Sequence, residues 1–247
     1  MRLKKGLGCA LFSLLFVVKT ATAFDLKVVT ENWPPYNYQL NGEVAGLGSE
    51  IVTSVLTKAK IPVNIAIYPW ARAYLMATQE PDILIYTIGR TPERENLFKW
   101  VGKIAPRKMY LFKLKSRKDI SLHSLDDARR YTIGLVRNSA SHLSLKSQGF
   151  ENNGKLALVI EDVQNLKMLL SGRIELMAGN ELALAYMARM HNLQYSNLER
   201  CILLSDKGHY YFALSKKTDQ HVYVALTEAY EVLEKTGELD RIRAKYQ

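Results

Sequence analysis

Two kinds of apolar spacing alternate along the first third of the chain. Short apolar runs typical of buried strands cover 26–30 and 62–68 and begin again at 82, whereas apolar residues at helical spacing cover 48–60 and 70–78. The order strand, helix, strand, helix, strand is typical of a parallel α/β unit.

The same alternation returns in the middle of the chain. A second set of strands and helices is predicted over 132–136, from 139, and over 156–160, 163–170, 174–178 and 181–190. Two similar α/β lobes, rather than one, therefore fit a chain of this length.

Two extended apolar runs, 109–112 and 209–214, flank the second unit. Beyond the later run, apolar spacing predicts a helix around 222–233 and another around 239–246. If this last segment belongs to the first lobe, the chain crosses between the lobes twice.

The first 23 residues have the pattern of a secretory signal peptide. Basic residues lie among the first five positions, an apolar run follows over 7–18, and Ala21-Thr22-Ala23 fits a cleavage site before Phe24. Cys9 precedes most of the apolar run, so we expect it to leave with the signal peptide rather than to carry a lipid anchor.

Composition narrows the class of protein. Removing 23 of 247 residues leaves 224, enough for one large or two small cores, and removing four basic residues lowers the formal charge from +10 to +6. The basic residues are scattered, so we expect a mild attraction for anions and no nucleic-acid partner. Cys201 is then the one remaining cysteine, predicted to be a buried, inert thiol without a disulfide.

The stretch 82–100 contains the candidate anchor for a ligand. A buried strand ends near Gly89, and Thr91 and Pro92 predict a short helix with an N-cap and a proline at its first position. This order would place Arg94 at a strand end, where a planar guanidinium can bind a carboxylate through two hydrogen bonds. The alternative is an ordinary exposed helix arginine.

The T-P-E-R sequence at 91–94, followed by F-K-W-V-G at 98–102, resembles the fingerprint of bacterial periplasmic solute-binding proteins of family 3, the amino-acid receptors of ABC importers. The resemblance extends over about 25–246. It implies an α/β, two-lobe periplasmic-binding-protein-like fold (type II) with a two-strand hinge. It also assigns the ligand's α-carboxylate to Arg94.

The same resemblance implies how the chain divides into lobes. We expect the first lobe to be discontinuous, formed by 24–112 and 207–247, and the second lobe to cover 113–206.

In the resembled family an aromatic loop after the first strand grips the ligand, which here assigns Trp33 and Tyr36. The two prolines between them are expected to hold the loop extended, although these aromatic rings could instead fill the core. Tyr86 and Thr87 are expected to present polar groups at the end of the central strand. Gly89 stands where the family usually has Ser or Thr, so one donor is missing.

Three further residues are assigned to the cleft. Arg90 and Arg72 could add a second positive group, or could form ordinary surface ion pairs. Ser139 lies between a strand and a helix, where the family completes the carboxylate site with a helix N-terminus and two hydroxyls. Ala140 lacks the second hydroxyl, and Ser139 could equally be a plain N-cap.

Asn180 departs from the family pattern in an informative way. It stands where the family has an aspartate that pairs with the ligand's α-ammonium. An amide lacks the charge, so a contact worth about 1.5–3 kcal/mol is lost unless Glu31 or Glu181 replaces it. The sequence therefore predicts carboxylate recognition and leaves ammonium recognition open.

Enzyme signatures are absent from the sequence. The five histidines are dispersed without metal-ligand spacing, and nucleophile-elbow and nucleotide-binding glycine motifs do not occur. We predict no metal, cofactor or catalytic residue. Two alternatives remain on the same fold: a dehydratase acting on small carboxylates through Glu31 and Glu181, and the ligand-sensing module of a signalling system.

The prediction is thus a periplasmic, monomeric receptor. It would close about its hinge on a small anionic or zwitterionic solute and present the closed form to an inner-membrane ABC permease.

Overall fold

The computed structural model describes residues 26–153 and 155–246. The predicted signal peptide and its cleavage site lie outside the described residues. The strands are β1 Lys27–Thr30, β2 Tyr38–Leu40, β3 Glu43–Ala45, β4 Ile65–Ile67, β5 Ile83–Gly89, β6 Phe98–Pro106, β7 Met109–Leu114, β8 Ile133–Val136, β9 Leu156–Val159, β10 Leu176–Gly179, β11 Leu198–Ser205 and β12 His209–Ser215. The α-helices are α1 Leu47–Lys58, α2 Trp70–Gln79, α3 Ala140–Ser147, α4 Asp162–Leu170, α5 Glu181–Met190, α6 Gln220–Lys235 and α7 Glu238–Ala244.

The first lobe is built on a five-stranded sheet in the order β4-β1-β5-β12-β6. β1 runs parallel to β4 and β5, whereas β12 runs antiparallel to β5 and β6. All of β5 is buried because helices cover both faces of the sheet: α1, α6 and α7 pack on one face and α2 on the other. This burial explains the continuous apolar run of β5.

The second lobe has its own five-stranded sheet, in the order β11-β7-β10-β8-β9. β8 pairs in parallel with β9 and β10, and β7 runs antiparallel to β10 and β11. The apolar faces of α4 and α5 pack on one side of the sheet, and α3 packs with a short 3-10 helix, Phe150–Asn153, on the other. The second predicted α/β unit is therefore present.

The chain crosses between the lobes at 107–108 and at 206–208. β6 pairs with β12 in the first lobe, and β7 pairs with β11 in the second lobe. The β6–β7 and β11–β12 connections therefore cross between the lobes side by side. This arrangement confirms the two-lobe fold with a two-strand hinge.

The two extended runs belong to different lobes. β7 pairs with strands of the second sheet and β12 pairs with strands of the first, so the expected boundary at 112–113 falls inside β7. We propose that the lobe boundaries lie at the two crossings.

Three features of the fold lie outside the predicted elements. The hairpin β2–β3 turns at Asn41-Gly42, both with positive φ, which is a known hairpin signal. β6 contains Gly102, where a Cβ would lie 2.4 Å from the ring of Tyr230, so the glycine lets helix α6 pack directly on the strand. β11 is an edge strand of mixed exposure, which weakens its apolar pattern.

None of the helices in the described part of the chain is long and apolar enough to cross a membrane.

Candidate functional site

A cavity of about 70 Å³ lies between the lobes, at the carboxyl ends of β1, β5 and β8. This edge of a parallel sheet is where open α/β folds place ligands. The polar and aromatic side chains lining it are Glu31, Trp33, Trp70, Thr87, Arg94, Arg107, Ser139, Ser141, Asp162 and Tyr210. One water needs about 10–15 Å³ of such space, so the cavity fits a small polar head group.

Arg94 enters the cavity from a 3-10 helix, Pro92–Leu97, that follows β5 directly. Pro92 takes the first helical position as predicted. Thr91 is the N-cap but its side chain makes no capping hydrogen bond, and the helix is a 3-10 helix rather than an α-helix. The short segment turns Arg94 back toward the strand end.

The Arg94 guanidinium is buried, with 1% of the residue exposed. Nη1 donates to the Gly89 carbonyl at 3.2 Å, and Nη2 donates to the Asn138 carbonyl of the second lobe at 3.0 Å. Its carbon lies 5.3 Å from the Trp70 ring centre and 4.9 Å from that of Tyr74. Burial lowers the pKa of Arg94, but an arginine stays charged. Its Nε is buried without a hydrogen-bond partner.

Arg107 is a second buried guanidinium in the cavity, which the sequence analysis missed. It lies in the hinge crossing, and its Nη1 donates to Ser205 Oγ at 2.8 Å. A Cβ on Gly89 would lie 3.1 Å from Arg107 Nε. The Arg107 side chain therefore occupies space that is free because residue 89 is a glycine. The one sequence signal was a basic residue between two strand-like runs.

Neither guanidinium has an acidic partner. Within residues 26–153 and 155–246, Arg94 and Arg107 form no ion pair with Asp or Glu. The charge of Glu31 reaches Arg94 across the cavity without forming an ion pair, so both guanidiniums can still take an anion that contacts them directly.

Two carboxylates face the same cavity, one from each lobe. Glu31 follows β1, and Asp162 is the first residue of α4. Burial, and then the nearby Asp162, raises the pKa of Glu31 to about 8. Burial likewise raises the pKa of Asp162 to about 6. Asp162 was not among the predicted site residues.

Glu181 lies outside the cavity. Its carboxylate pairs with Arg200 at 3.0 Å and accepts a hydrogen bond from Tyr195 at 3.3 Å. The pairing of Glu31 with Glu181 that the dehydratase alternative requires is therefore not assembled. Among the described residues, no group of three or more His, Cys, Asp or Glu side chains could hold a metal ion.

The aromatic loop is a tight turn rather than the extended segment expected. The Trp33 N–H donates to the Asn37 carbonyl at 2.6 Å, which folds the two prolines into the turn. Trp33 lines the cavity and stacks on Tyr36 at 4.6 Å, with Tyr210 edge-on at 5.2 Å. Its indole N–H is buried without a partner.

Thr87 lines the cavity from a β-bulge. Tyr211 pairs with Ile88 and Phe212 pairs with Tyr86, so Thr87 has no partner on β12. Its φ is 59°, which is rare for a β-branched residue, and its hydroxyl is buried without a hydrogen-bond partner. Strain of this kind is often found at functional sites.

Tyr86 lies in the core of the first lobe instead. Its hydroxyl hydrogen-bonds to Ser49 Oγ at 2.9 Å, and 1% of the residue is exposed.

Ser139 is both the N-cap of α3 and a cavity residue. Its Oγ accepts the His142 N–H at 3.2 Å, and Ala140 and Ser141 line the cavity beside it. The preceding Asn138 has a left-handed φ of 60°, and its carbonyl accepts hydrogen bonds from first-lobe side chains. The strand-to-helix turn of the second lobe thus joins the first lobe at the cavity.

Asn180 does not line the cavity, contrary to the role implied by the resemblance. Its Oδ1 caps α5 through the Ala183 N–H at 3.2 Å and accepts the Tyr36 hydroxyl at 3.2 Å. Its Nδ2 donates to the Lys108 carbonyl at 3.1 Å. Both ends of the amide are therefore used, and Asn180 and Tyr36 together bridge the lobes beside the cavity.

Arg90 and Arg72 also lie outside the cavity. Arg90 forms a two-point ion pair with Glu95 and stacks over the rings of Trp100 and Tyr211. Arg72 lies 4.6 Å from the ring centre of Tyr68. Arg90 thus matches the alternative of a surface ion pair. Arg72 contacts an aromatic ring instead of a carboxylate.

A larger neighbouring cavity of about 240 Å³ shares Trp33 and Asp162 with the first. Tyr38, Tyr186 and Met190 also line this second cavity. Trp33 and Asp162 thus border both cavities.

Solved structures with the same fold include three informative ones. A histidine kinase sensor domain similar to periplasmic binding proteins has a TM-score of 0.79 at 19% identity, covering 90% of this chain and 95% of that chain. An ancestral arginine-binding protein bound to arginine has a TM-score of 0.76 at 17% identity, covering 90% and 97%. The arginine-, lysine-, histidine-binding protein ArtJ of Geobacillus stearothermophilus has a TM-score of 0.76 at 15% identity, covering 90% and 94%.

No curated protein matches the chain significantly. The match to a protein family is nearly complete, because residues 26–247 fit the bacterial extracellular solute-binding proteins, family 3. The chain therefore belongs to the bacterial extracellular solute-binding proteins of family 3.

Proposed function

We propose that this protein is a periplasmic receptor that closes on a small carboxylate-bearing solute of the amino-acid type and delivers it to an ABC importer. The observation that carries the proposal is the pair of buried guanidiniums, Arg94 and Arg107, lining one cavity without an acidic partner. A carboxylate bound there would supply the missing charge and accept hydrogen bonds from the unpartnered Arg94 Nε.

Contributions from both lobes support a closure mechanism. The first lobe supplies Arg94 and Thr87, and the second supplies Ser139 with the N-terminus of α3, where helix N–H groups favour an anion. A solute that bridges these groups binds only when the lobes are together. Its differential affinity therefore shifts the hinge equilibrium toward the closed state.

The family supports the partners and the location. Its members are extracellular solute-binding proteins, and two structures of the same fold are named for binding arginine, or arginine, lysine and histidine. A cleavable signal peptide at 1–23, a monomeric state and an inner-membrane permease as partner complete the proposal.

The test is a thermal-shift screen of the purified mature protein against amino acids, dicarboxylates, keto acids and small peptides. A true solute at 100 times its dissociation constant should stabilise the protein by about 2.7 kcal/mol. NMR after long incubation should return the solute unchanged. Turnover of the solute, or the absence of any stabilising acid, would contradict the proposal.

A further inference from the structure

The polar cavity has room for little more than the head group of a solute. It measures about 70 Å³, and Arg94 is one of its lining residues. The second cavity, of about 240 Å³, adjoins it, and Trp33 and Asp162 border both. The remainder of a larger solute therefore has to leave the polar cavity, and the second cavity offers more than three times the space.

The walls of the second cavity come from both lobes. The first lobe contributes Tyr38 and Leu40 of the β2–β3 hairpin, and the second lobe contributes Tyr186 and Met190 of α5. The ring centres of Tyr38 and Tyr186 lie 5.6 Å apart, so the hairpin and the helix meet at this point. The second cavity therefore lies between the lobes, as the polar cavity does.

Most residues that line the second cavity are apolar or aromatic, and some of them remain in contact with water. Leu40 is 51% exposed and Met190 is 63% exposed. Single exposed apolar side chains are common, but these two share one cavity with two tyrosine rings. An apolar group placed among them would remove their surfaces and its own from water, which favours binding.

A third space offers a different route out of the polar cavity. It measures about 400 Å³ and shares Arg107, Ala140 and Ser141 with the polar cavity. Among the described residues, no aromatic side chain lines it, whereas the charged Glu93 and Lys207 do. Aromatic rings supply the large contact areas of binding sites, which favours the second cavity for the rest of the solute. A charged tail is what would favour the third space.

Charged groups also line the second cavity. Glu161 and Asp162 would attract a cation, and His191 lies among the lining residues. A guanidinium already lies near one wall, because Arg189 Cζ is 5.3 Å from the ring centre of Tyr186. A cationic tail would meet that like charge, whereas an apolar tail would not. Lysine and arginine are therefore the competitors against which an apolar tail is measured.

We propose that the second cavity is the subsite for a bulky apolar or aromatic tail of the solute. The inference rests on the proposed function and names the class of solute. The head group lies against Arg94, and the tail lies among Tyr38, Tyr186 and Met190. Because both lobes supply the walls, the tail is enclosed only when the lobes are together. A longer apolar tail thus favours closure as well as binding.

The experiment is calorimetric titration of the mature protein with alanine, 2-aminobutyrate, norvaline, norleucine and phenylalanine. The same tails are titrated without the amine, from propionate to hexanoate and 3-phenylpropionate, so that the result does not depend on the amine. Burial of one CH₂ group raises affinity by about fourfold. In whichever series binds, we expect the six-carbon member to bind at least tenfold tighter than the three-carbon member, and the phenyl compound at least 30-fold tighter. Lysine, arginine and glutamate should bind more weakly than phenylalanine.

Two variants and a control assign the preference to the second cavity. Tyr38→Ser and Met190→Ser, one in each lobe, should each lower the preference for the phenyl tail over the methyl tail at least fivefold. The affinity for the three-carbon member should stay within twofold. Leu75→Ser is the matched control, since Leu75 is 52% exposed on α2 and lines neither cavity. It should leave the preference unchanged.

Three results would overturn this inference while leaving the carboxylate site intact. They are equal affinity along the series, tighter binding of lysine, arginine or glutamate than of phenylalanine, and a preference kept in both variants. Failure of the proposed function looks different. In that case no member of either series and no charged amino acid binds, and this inference fails with it.

Discussion

Three arginines near the central strand show how neighbours decide what a charged residue can do. Arg94 and Arg107 are buried in the cavity without acidic partners, whereas Arg90 pairs with Glu95 at the surface. An exposed ion pair contributes little, but a buried unpaired guanidinium demands an anion. The same residue type thus has a structural role at one position and a proposed binding role a few residues away.

Gly89 is expected to affect solute binding through the position of Arg107 rather than through its own backbone. In Gly89→Ser, the added Cβ would crowd Arg107 Nε and Cδ, at 3.1 and 3.2 Å, and move the guanidinium. We expect solute binding to weaken about tenfold, a loss of about 1.4 kcal/mol. Calorimetric titration of Gly89→Ser, Arg107→Ala and the double variant measures this.

The double variant gives the control for that prediction. If crowding of Arg107 is the cause, Gly89→Ser should add little further loss once Arg107 is already alanine. Fully additive losses would show that Gly89 acts on the solute by another route.

The residues of the site differ in how visible they are in the sequence. Arg94 and Ser139 follow strand ends inside local motifs, so the chain order alone places them at the sheet edge. Arg107 and Asp162 reach the cavity only because the hinge and the second lobe fold around it. No local pattern carries that information, which depends on how the lobes meet.

Helices and strands were predicted well where their apolar spacing is regular. Both α/β units follow the expected order because each buried face repeats with the helical or strand period. The hairpin β2–β3 and the edge strand β11 were not predicted, since short or half-exposed strands lack a continuous apolar run. The Asn41-Gly42 pair, which favours a tight hairpin turn, was the one local signal for this hairpin in the sequence.

Asn180 contributes to the stability of a helix, because it is the N-cap of α5. Asn180→Ala removes the cap of α5 and should lower the free energy of unfolding by about 1 kcal/mol. Asn180→Asp keeps an oxygen cap but loses the hydrogen bond to Lys108. Because Asn180 does not line the cavity, we expect neither variant to change the relative affinity for amino acids and for acids that lack the amine. Urea unfolding measures the stability and calorimetric titration measures the binding.

Asp219→Ala is the matched control, since Asp219 caps α6 at the surface by accepting the His221 N–H at 2.7 Å. It should cost similar stability without touching binding. A selective gain in amino-acid affinity in Asn180→Asp would instead show that position 180 faces the solute.

The whole molecule works as two lobes joined by two crossing strands. Interlobe hydrogen bonds from Arg94 and Trp70 to the Asn138 carbonyl, and from Tyr36 to Asn180, hold the lobes together around the cavity. Each bond needs both lobes in place. The carboxylates of Glu31 and Asp162 oppose this contact when they are ionised.

Closure without solute is therefore expected to depend on pH. Burial raises the pKa of Glu31 to about 8 and that of Asp162 to about 6, so the closed state binds more protons than an open state with ordinary carboxyls. The closed state is then favoured most below the ordinary carboxyl pKa. Its population falls as the pH rises from there to the raised values, by up to about tenfold per group and pH unit, and levels off above them. The charged and titratable groups around Glu31 are Asp162, Glu161, Arg94, Arg107 and Tyr210.

Small-angle X-ray scattering at pH 5.5, 7.0 and 8.5 measures this effect. The radius of gyration of the solute-free protein should increase with pH, and Glu31→Gln should remove most of the increase. An equal increase in the variant would assign the pH dependence to other groups.

The central claim is that Arg94 anchors the solute's carboxylate, and titration of Arg94 variants tests it most directly. With a solute found in the thermal screen, Arg94→Ala should lose about 2–5 kcal/mol of binding free energy, and Arg94→Lys should recover only part because an ammonium lacks the two-point fork. Arg90→Ala, a surface arginine of the same segment, should bind like the parent protein. If Arg94→Ala binds as tightly as the parent, or if Arg90→Ala loses binding instead, the account is contradicted at its central residue.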